Sequence, residues 1–138
     1  MTESGALPVP INPESLGAPR GFSHGMLAPA GGRLLFVAGQ IAVDRDGRLV
    51  ADDFPRQFAR ALENVLAVVR EAGGGPEHVV RLTVYATDKR RYLESLAAVG
   101  EGYRRVMGRR YPAMALVEVA GLLEPGALVE IEGTAVVP

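Results

Sequence analysis

Two carboxylates, Glu130 and Glu132, stand two residues apart in the run Leu128-Val129-Glu130-Ile131-Glu132 near the end of the chain. Side chains alternate along a strand, so both acids project from one face, where their mutual repulsion can raise one pKa and make a general acid. An ordinary solvated strand face accounts for the same pair without any chemistry. His24 is a second group of interest, because imidazole titrates near neutrality and serves as acid, base or ligand clamp. A lone histidine in a strand is also a common structural residue. Ser23 beside it is not a catalytic partner, since neighbours on a strand point to opposite faces, and no Gly-x-Ser-x-Gly elbow supports a hydrolase triad. His78 follows Pro76 and Glu77 and reads as a surface residue. Two histidines so far apart, in a chain with no cysteine, predict no metal site and no thiolate nucleophile.

Composition narrows the classes further. The 138 residues fit one globular domain, 48% of them hydrophobic, with a net charge of -1. That balance argues against a dedicated nucleic-acid binder, which normally needs a basic surplus to neutralise phosphates. Two basic clusters stand out against it: Lys89-Arg90-Arg91, and Arg104, Arg105, Arg109 and Arg110. Positive charge complements the dipole at a helix's last turn and opposes it at the first, so only the first cluster lacks a simple structural reason. Met1-Thr2-Glu3-Ser4-Gly5 carries no positive charge leading into an apolar stretch, and no run approaches the roughly 18 apolar residues of a membrane helix. The expectation is a soluble, cytoplasmic protein without cofactor or membrane partner.

The elements that must position these groups follow from pattern. Residues 1–19 contain Pro8, Pro10, Pro13 and Pro19, which predicts an extended arm ahead of a domain spanning 20–138. Leu34-Leu35-Phe36-Val37-Ala38 is apolar on both faces, as in a strand covered on both sides, and Asp44-Arg45-Asp46-Gly47 signals a turn before a short return strand at 48–50. A first helix is capped by Asp52 or Asp53, with Pro55 in its first turn and Gly73 beyond its end. Phe54, Phe58, Leu62, Val65 and Val69 form its apolar stripe. A second helix runs from the cap Asp88 to Gly108, with Tyr92, Leu96, Val99, Tyr103 and Val106 as its stripe and Gly100 and Gly102 packed on the sheet. Strands over 79–87, 113–120 and 127–137 complete an α+β sheet that two helices cover on one face only. Val80, Leu82 and Val84 are expected on one side of the middle strand and Val79 and Tyr85 on the other, leaving an apolar face that marks a protein interface.

In order along the chain, six segments resemble the RidA-like (YjgF-type) family of reactive-intermediate deaminases. They are Arg20-Gly21-Phe22-Ser23-His24-Gly25, Phe36-Val37-Ala38-Gly39-Gln40-Ile41, Ala61-Leu62-Glu63-Asn64-Val65 with Glu71-Ala72-Gly73-Gly74, Val79 to Tyr85, Tyr111-Pro112-Ala113-Met114-Ala115-Leu116, and Val129-Glu130-Ile131-Glu132. The resemblance implies a chorismate-mutase-like α+β domain, mostly antiparallel, and a homotrimer with small-molecule pockets between subunits. It implies Glu130 as the acid that orients the attacking water, with Phe22, His24, Gly39, Gln40, Met114 and Leu116 around the ligand.

One departure matters most. The family strand usually reads Pro-Ala-Arg-Ser, and its arginine clamps the carboxylate of a 2-imino or 2-enamino acid, whereas Met114 stands at that position here. A thioether has neither charge nor a fork of donors. Phe22 stands where tyrosine is usual, Gly100 where a pocket asparagine is expected, and Leu116 where some members have cysteine. The expectation is a small-molecule-binding protein related to enamine/imine deaminases that acts poorly on standard 2-imino acids; if an enzyme, it is a deaminase-like hydrolase. Two alternatives stand beside it: a non-catalytic ligand-binding or interaction module, and an RNA-directed endoribonuclease-like hydrolase using Lys89-Arg90-Arg91.

Overall fold

Apolar alternation along four segments becomes one sheet in the structure, a computed structural model that describes residues 5–138. In chain order the elements are β1 (Val9–Ile11), β2 (Gly25–Leu27), β3 (Arg33–Gln40), α1 (Phe54–Glu71), β4 (Val79–Ala86), α2 (Lys89–Leu93), α3 (Leu96–Met107), β5 (Ala113–Glu118) and β6 (Val129–Val137). Four strands make a mixed sheet in the order β3-β6-β4-β5, antiparallel except for the β4/β5 pair, and the helices pack on one face of it. The result is a single α+β domain. Of the arm expected over 1–19, residues 1–4 lie outside the described residues, and Val9–Ile11 pairs antiparallel with Gly25–Leu27. Among the described residues no helix is long and apolar enough to cross a membrane.

Helix α1 begins where its capping chemistry places it. The Asp53 side chain accepts from the Arg56 N–H at 2.9 Å, Pro55 sits in the first turn, and the chain turns away at Gly73 with φ 92°. Phe58, Leu62, Val65, Leu66 and Val69 are buried against Leu82 and Val84 of β4 and Val129, Ile131 and Ala135 of β6. Full burial of each such side chain stabilises the fold by about 1.5–3 kcal/mol before entropy is counted. The Asp53 carboxyl is held below its ordinary pKa first by the Arg56 backbone N–H. Its contribution is therefore present above the unfolded-state value and lost as pH falls through the lowered one. Asp53→Ala should cost about 1 kcal/mol in urea unfolding at neutral pH. The difference from wild type should vanish in strong acid; an equal deficit at both pH values would contradict the capping role.

Four expectations need correction. The second helix is two helices, broken at Glu94-Ser95. Ser95 leaves helical geometry (φ -128°, ψ 27°) and its hydroxyl donates back to the Arg91 and Tyr92 carbonyls, the local competition that makes serine a poor interior residue. Gly102 makes room for α1, not the sheet: a Cβ there would lie 3.2 Å from the Ala59 methyl. His78 is buried, and its Nδ1 accepts from the Gly75 N–H at 2.9 Å, so it closes the turn before β4. The return strand at 48–50 is reduced to a single bridge between Val43 and Leu49.

Two register shifts decide which residues face where. In β4 the ladder shifts between Val79 and Arg81, so Val79 joins Leu82 and Val84 in the core and Val80 does not. The uncovered face is correspondingly less apolar than the alternation suggests. Leu34 and Phe36, 63% and 74% exposed, form its apolar edge on β3, while Arg81, Thr83, Tyr85, Glu130, Glu132 and Thr134 make a polar centre. The second shift, between Val37 and Gln40, places Gly39 beside Glu130.

Candidate ligand-binding site

β5 is the edge strand next to β4, and its parallel register sets Met114 opposite Leu82 and Leu116 opposite Val84. Both side chains therefore project to the helix-covered face. The helices do not close over that edge, and a cavity of about 410 Å³ remains, lined chiefly by Phe22, Phe58, Tyr92, Tyr103, Met114 and Leu116. Phe22 reaches it because the preceding loop is tied to the start of β5. The Ser23 N–H donates to the Pro112 carbonyl at 3.0 Å and the Ser23 hydroxyl to the Tyr111 carbonyl at 2.5 Å. Tyr103 stacks on Tyr111 with centroids 5.2 Å apart and donates its hydroxyl to the Arg110 carbonyl. Burial pushes the Tyr103 phenol far above its usual pKa, so it is a neutral donor at physiological pH.

His24 is not in the cavity lining. Its ring stands edge-on to Phe22 at 5.2 Å, its Nε2 lies 3.1 Å from the Gly17 carbonyl, and its backbone N–H donates to the Asn12 side chain at 2.7 Å. In this arrangement it orients Phe22 and fastens the arm. Gln40 is also turned away: its side-chain amide donates to the Ala38 carbonyl at 3.1 Å.

The acids lie on the opposite face of the sheet. Glu130 is opposite Tyr85 and Glu132 opposite Thr83 in the β4/β6 ladder, and the Tyr85 hydroxyl donates to Glu132 Oε1 at 2.5 Å. That bond is the main cause that raises the Tyr85 pKa, followed by desolvation and the charge of Glu132. Glu130 has no hydrogen-bond partner among the described residues and rests over Gly39, where a Cβ would fall 2.8 Å from its carboxyl carbon. The structure thus brings Phe22, Met114 and Leu116 together, and separately Gly39 with Glu130. The sheet lies between the two groups.

Arg104 escaped the sequence reading as a site residue. Placed in the last turn of α3, where it complements the helix dipole, it also borders the cavity, and its guanidinium lies 3.2 Å from where a Cβ on Gly100 would stand. The signal was present as a glycine one turn before an arginine on the same helix. Of the other basic cluster, Arg90 approaches Asp88 at 3.8 Å and the Lys89 backbone N–H donates to Glu118 at 2.9 Å.

The sequence profile of the family described as endoribonuclease L-PSP matches residues 13–137. A RutC family protein of Pyrococcus abyssi is 38% identical over 75% of this chain and 79% of its own length. The 2-iminobutanoate/2-iminopropanoate deaminase of Salmonella typhimurium is 35% identical over 76% of this chain and 80% of its own. Among solved structures, the Rid-family protein YyfB of Yersinia pestis, whose function is unknown, superposes with a TM-score of 0.84 at 34% identity, covering 96% of this chain and all of that one.

Proposed function

The chain belongs to the endoribonuclease L-PSP family, the RidA-like (YjgF-type) proteins, and on that premise we propose that it is a small-molecule-binding protein of the enamine/imine deaminase type whose complete site forms between subunits of a homotrimer. The observation that carries this reading is the split of the polar and apolar groups across the sheet. A ligand touching Met114 is screened from Glu130 of the same chain by the strands themselves. A site that uses both must draw them from different copies. The exposed Leu34 and Phe36 beside the polar centre supply an apolar strip for that contact.

Within such a site Glu130, without another hydrogen-bond partner among the described residues and backed by Gly39, holds the water that attacks the imine carbon, and Phe22, Met114 and Leu116 enclose the apolar part of the substrate. Without a cation at position 114, simple 2-imino acids bind weakly. Imines generated in situ from several amino acids provide the test. Glu130→Gln should lower kcat/KM at least tenfold on the best of them without changing the thermal midpoint. Gly39→Ala, whose methyl group falls where the carboxylate sits, should give a comparable loss. Turnover unaffected by Glu130→Gln would remove the hydrolytic role, and a monomer in analytical ultracentrifugation would remove the shared site.

A further inference from the structure

The cavity on the helix face carries its own charge pattern, distinct from the acids across the sheet. Among the fourteen lining residues that one chain contributes there is no aspartate or glutamate, and two arginines, Arg20 and Arg104, are present. Neither guanidinium forms an ion pair with, or donates a hydrogen bond to, a protein group among the described residues, whereas Arg56 and Arg90 are both engaged with acids. Arg104 is folded back along α3 over Gly100, into space that any larger residue would take. Both arginines are exposed, while the floor is formed by half-buried Met114 and Leu116 with the aromatic rings of Phe58 and Tyr103. The cavity is thus apolar at depth and cationic where it meets solvent.

From this geometry we infer that the cavity binds an arylalkanoic acid, or a like monoanion with a flat apolar body, with its ring on Met114 and its carboxylate between Arg20 and Arg104. The inference rests on the ligand-binding reading of this cleft and adds the ligand's class and orientation. The orientation is the reverse of one in which strand β5 supplies the anion contact. A carboxylate at the rim keeps most of its hydration and still gains charge-assisted hydrogen bonds from two planar donors. The ring displaces water from the apolar floor, and Tyr92 and Tyr103 offer faces and edges for it. A volume of about 410 Å³ lies at the small end of ligand pockets and suits one ring and a short chain.

Isothermal titration of the 138-residue protein with 3-phenylpropionate, 3-phenylpropionamide and propionate tests each half. The aryl acid should bind at least tenfold more tightly than its neutral amide and than propionate, which has no ring, and its affinity should fall as salt rises. Arg20→Ala/Arg104→Ala should erase the preference for acid over amide while leaving the amide's affinity and the circular dichroism spectrum unchanged. Gly100→Leu should block both ligands by filling the cavity and displacing Arg104. Equal binding of acid and amide, or a preference that survives the double substitution, would overturn the inference. Phenylpropionate has no imine to hydrolyse, so binding without any imine turnover would leave this inference standing and remove only the hydrolytic role of Glu130.

Discussion

Gln57→Leu should destabilise the protein by about 3 kcal/mol or more, although the two side chains are of similar size. Gln57 is fully buried on α1, and its side chain is the knot between two loops. Nε2 donates to the Ala51 and Gly126 carbonyls, each at 3.0 Å, and Oε1 accepts from the Leu128 N–H at 2.8 Å. Leucine would orphan two carbonyls and an N–H at once. Each orphan costs about 1–3 kcal/mol when water cannot replace the lost partner. Ala51 and Gly126 keep some access to solvent, which holds the expected sum toward the low end. Urea unfolding at one fixed protein concentration checks this, since a subunit equilibrium would otherwise enter the midpoint. A fall in midpoint with unchanged slope is expected, and a heat-denaturation midpoint lower by about 10 °C. A loss below about 1 kcal/mol would mean that these loops find other partners without Gln57.

The legibility of the chain differed by kind of information. Helix α1 was readable almost to the residue because its signals are local: Asp53, Pro55 and Gly73 act on the backbone beside them. The four strands of the main sheet were readable for the same reason, as continuous apolar or alternating runs, whereas the β1/β2 pair and the fate of residues 48–50 were not. Facing was not. One unpaired residue reverses every later side chain, so the shifts after Val79 and Val37 moved Val79 into the core and Gly39 beside Glu130 without changing the apparent pattern. The break at Ser95 lay hidden within a stripe whose spacing survived it in part: Tyr92 before the break and Val99, Tyr103 and Val106 after it pack against the core, while Leu96 is exposed. The family was legible from the order of short segments, and membership rests on the match over residues 13–137. The distribution of site residues over two faces was not, because it depends on strand order, and β6 lies between β3 and β4 only in three dimensions.

Met114→Arg should have the largest functional effect of any single change in the cleft. Met114 is half-buried and packs against the core from the edge strand, so its neighbours already fix the direction in which a longer side chain would project. A guanidinium there would enter a cavity whose walls are aromatic, and rings of this kind tolerate a planar cation on their faces. The substitution also brings a third positive charge toward Arg20 and Arg104, with no acid of the same chain in the lining to offset it. The apo protein should accordingly lose about 1–2 kcal/mol of stability from lost apolar burial and like-charge repulsion. Any carboxylate bound at depth would relieve that repulsion. One bidentate, charge-assisted pair is worth about 1.5–3 kcal/mol, which corresponds to roughly ten- to hundredfold in affinity. Turnover of 2-iminobutyrate should therefore rise at least tenfold in kcat/KM, chiefly through KM, because the added contact holds the ground state and the transition state alike. Met114→Leu is the matched control, conserving volume and adding no charge, and should leave the rate at the wild-type level. A folded Met114→Arg protein with wild-type kcat/KM would mean that residue 114 does not contact the substrate. The low activity expected of this chain on 2-imino acids would then have to originate elsewhere in the cleft, with Phe22 and Gly100 the next positions to exchange.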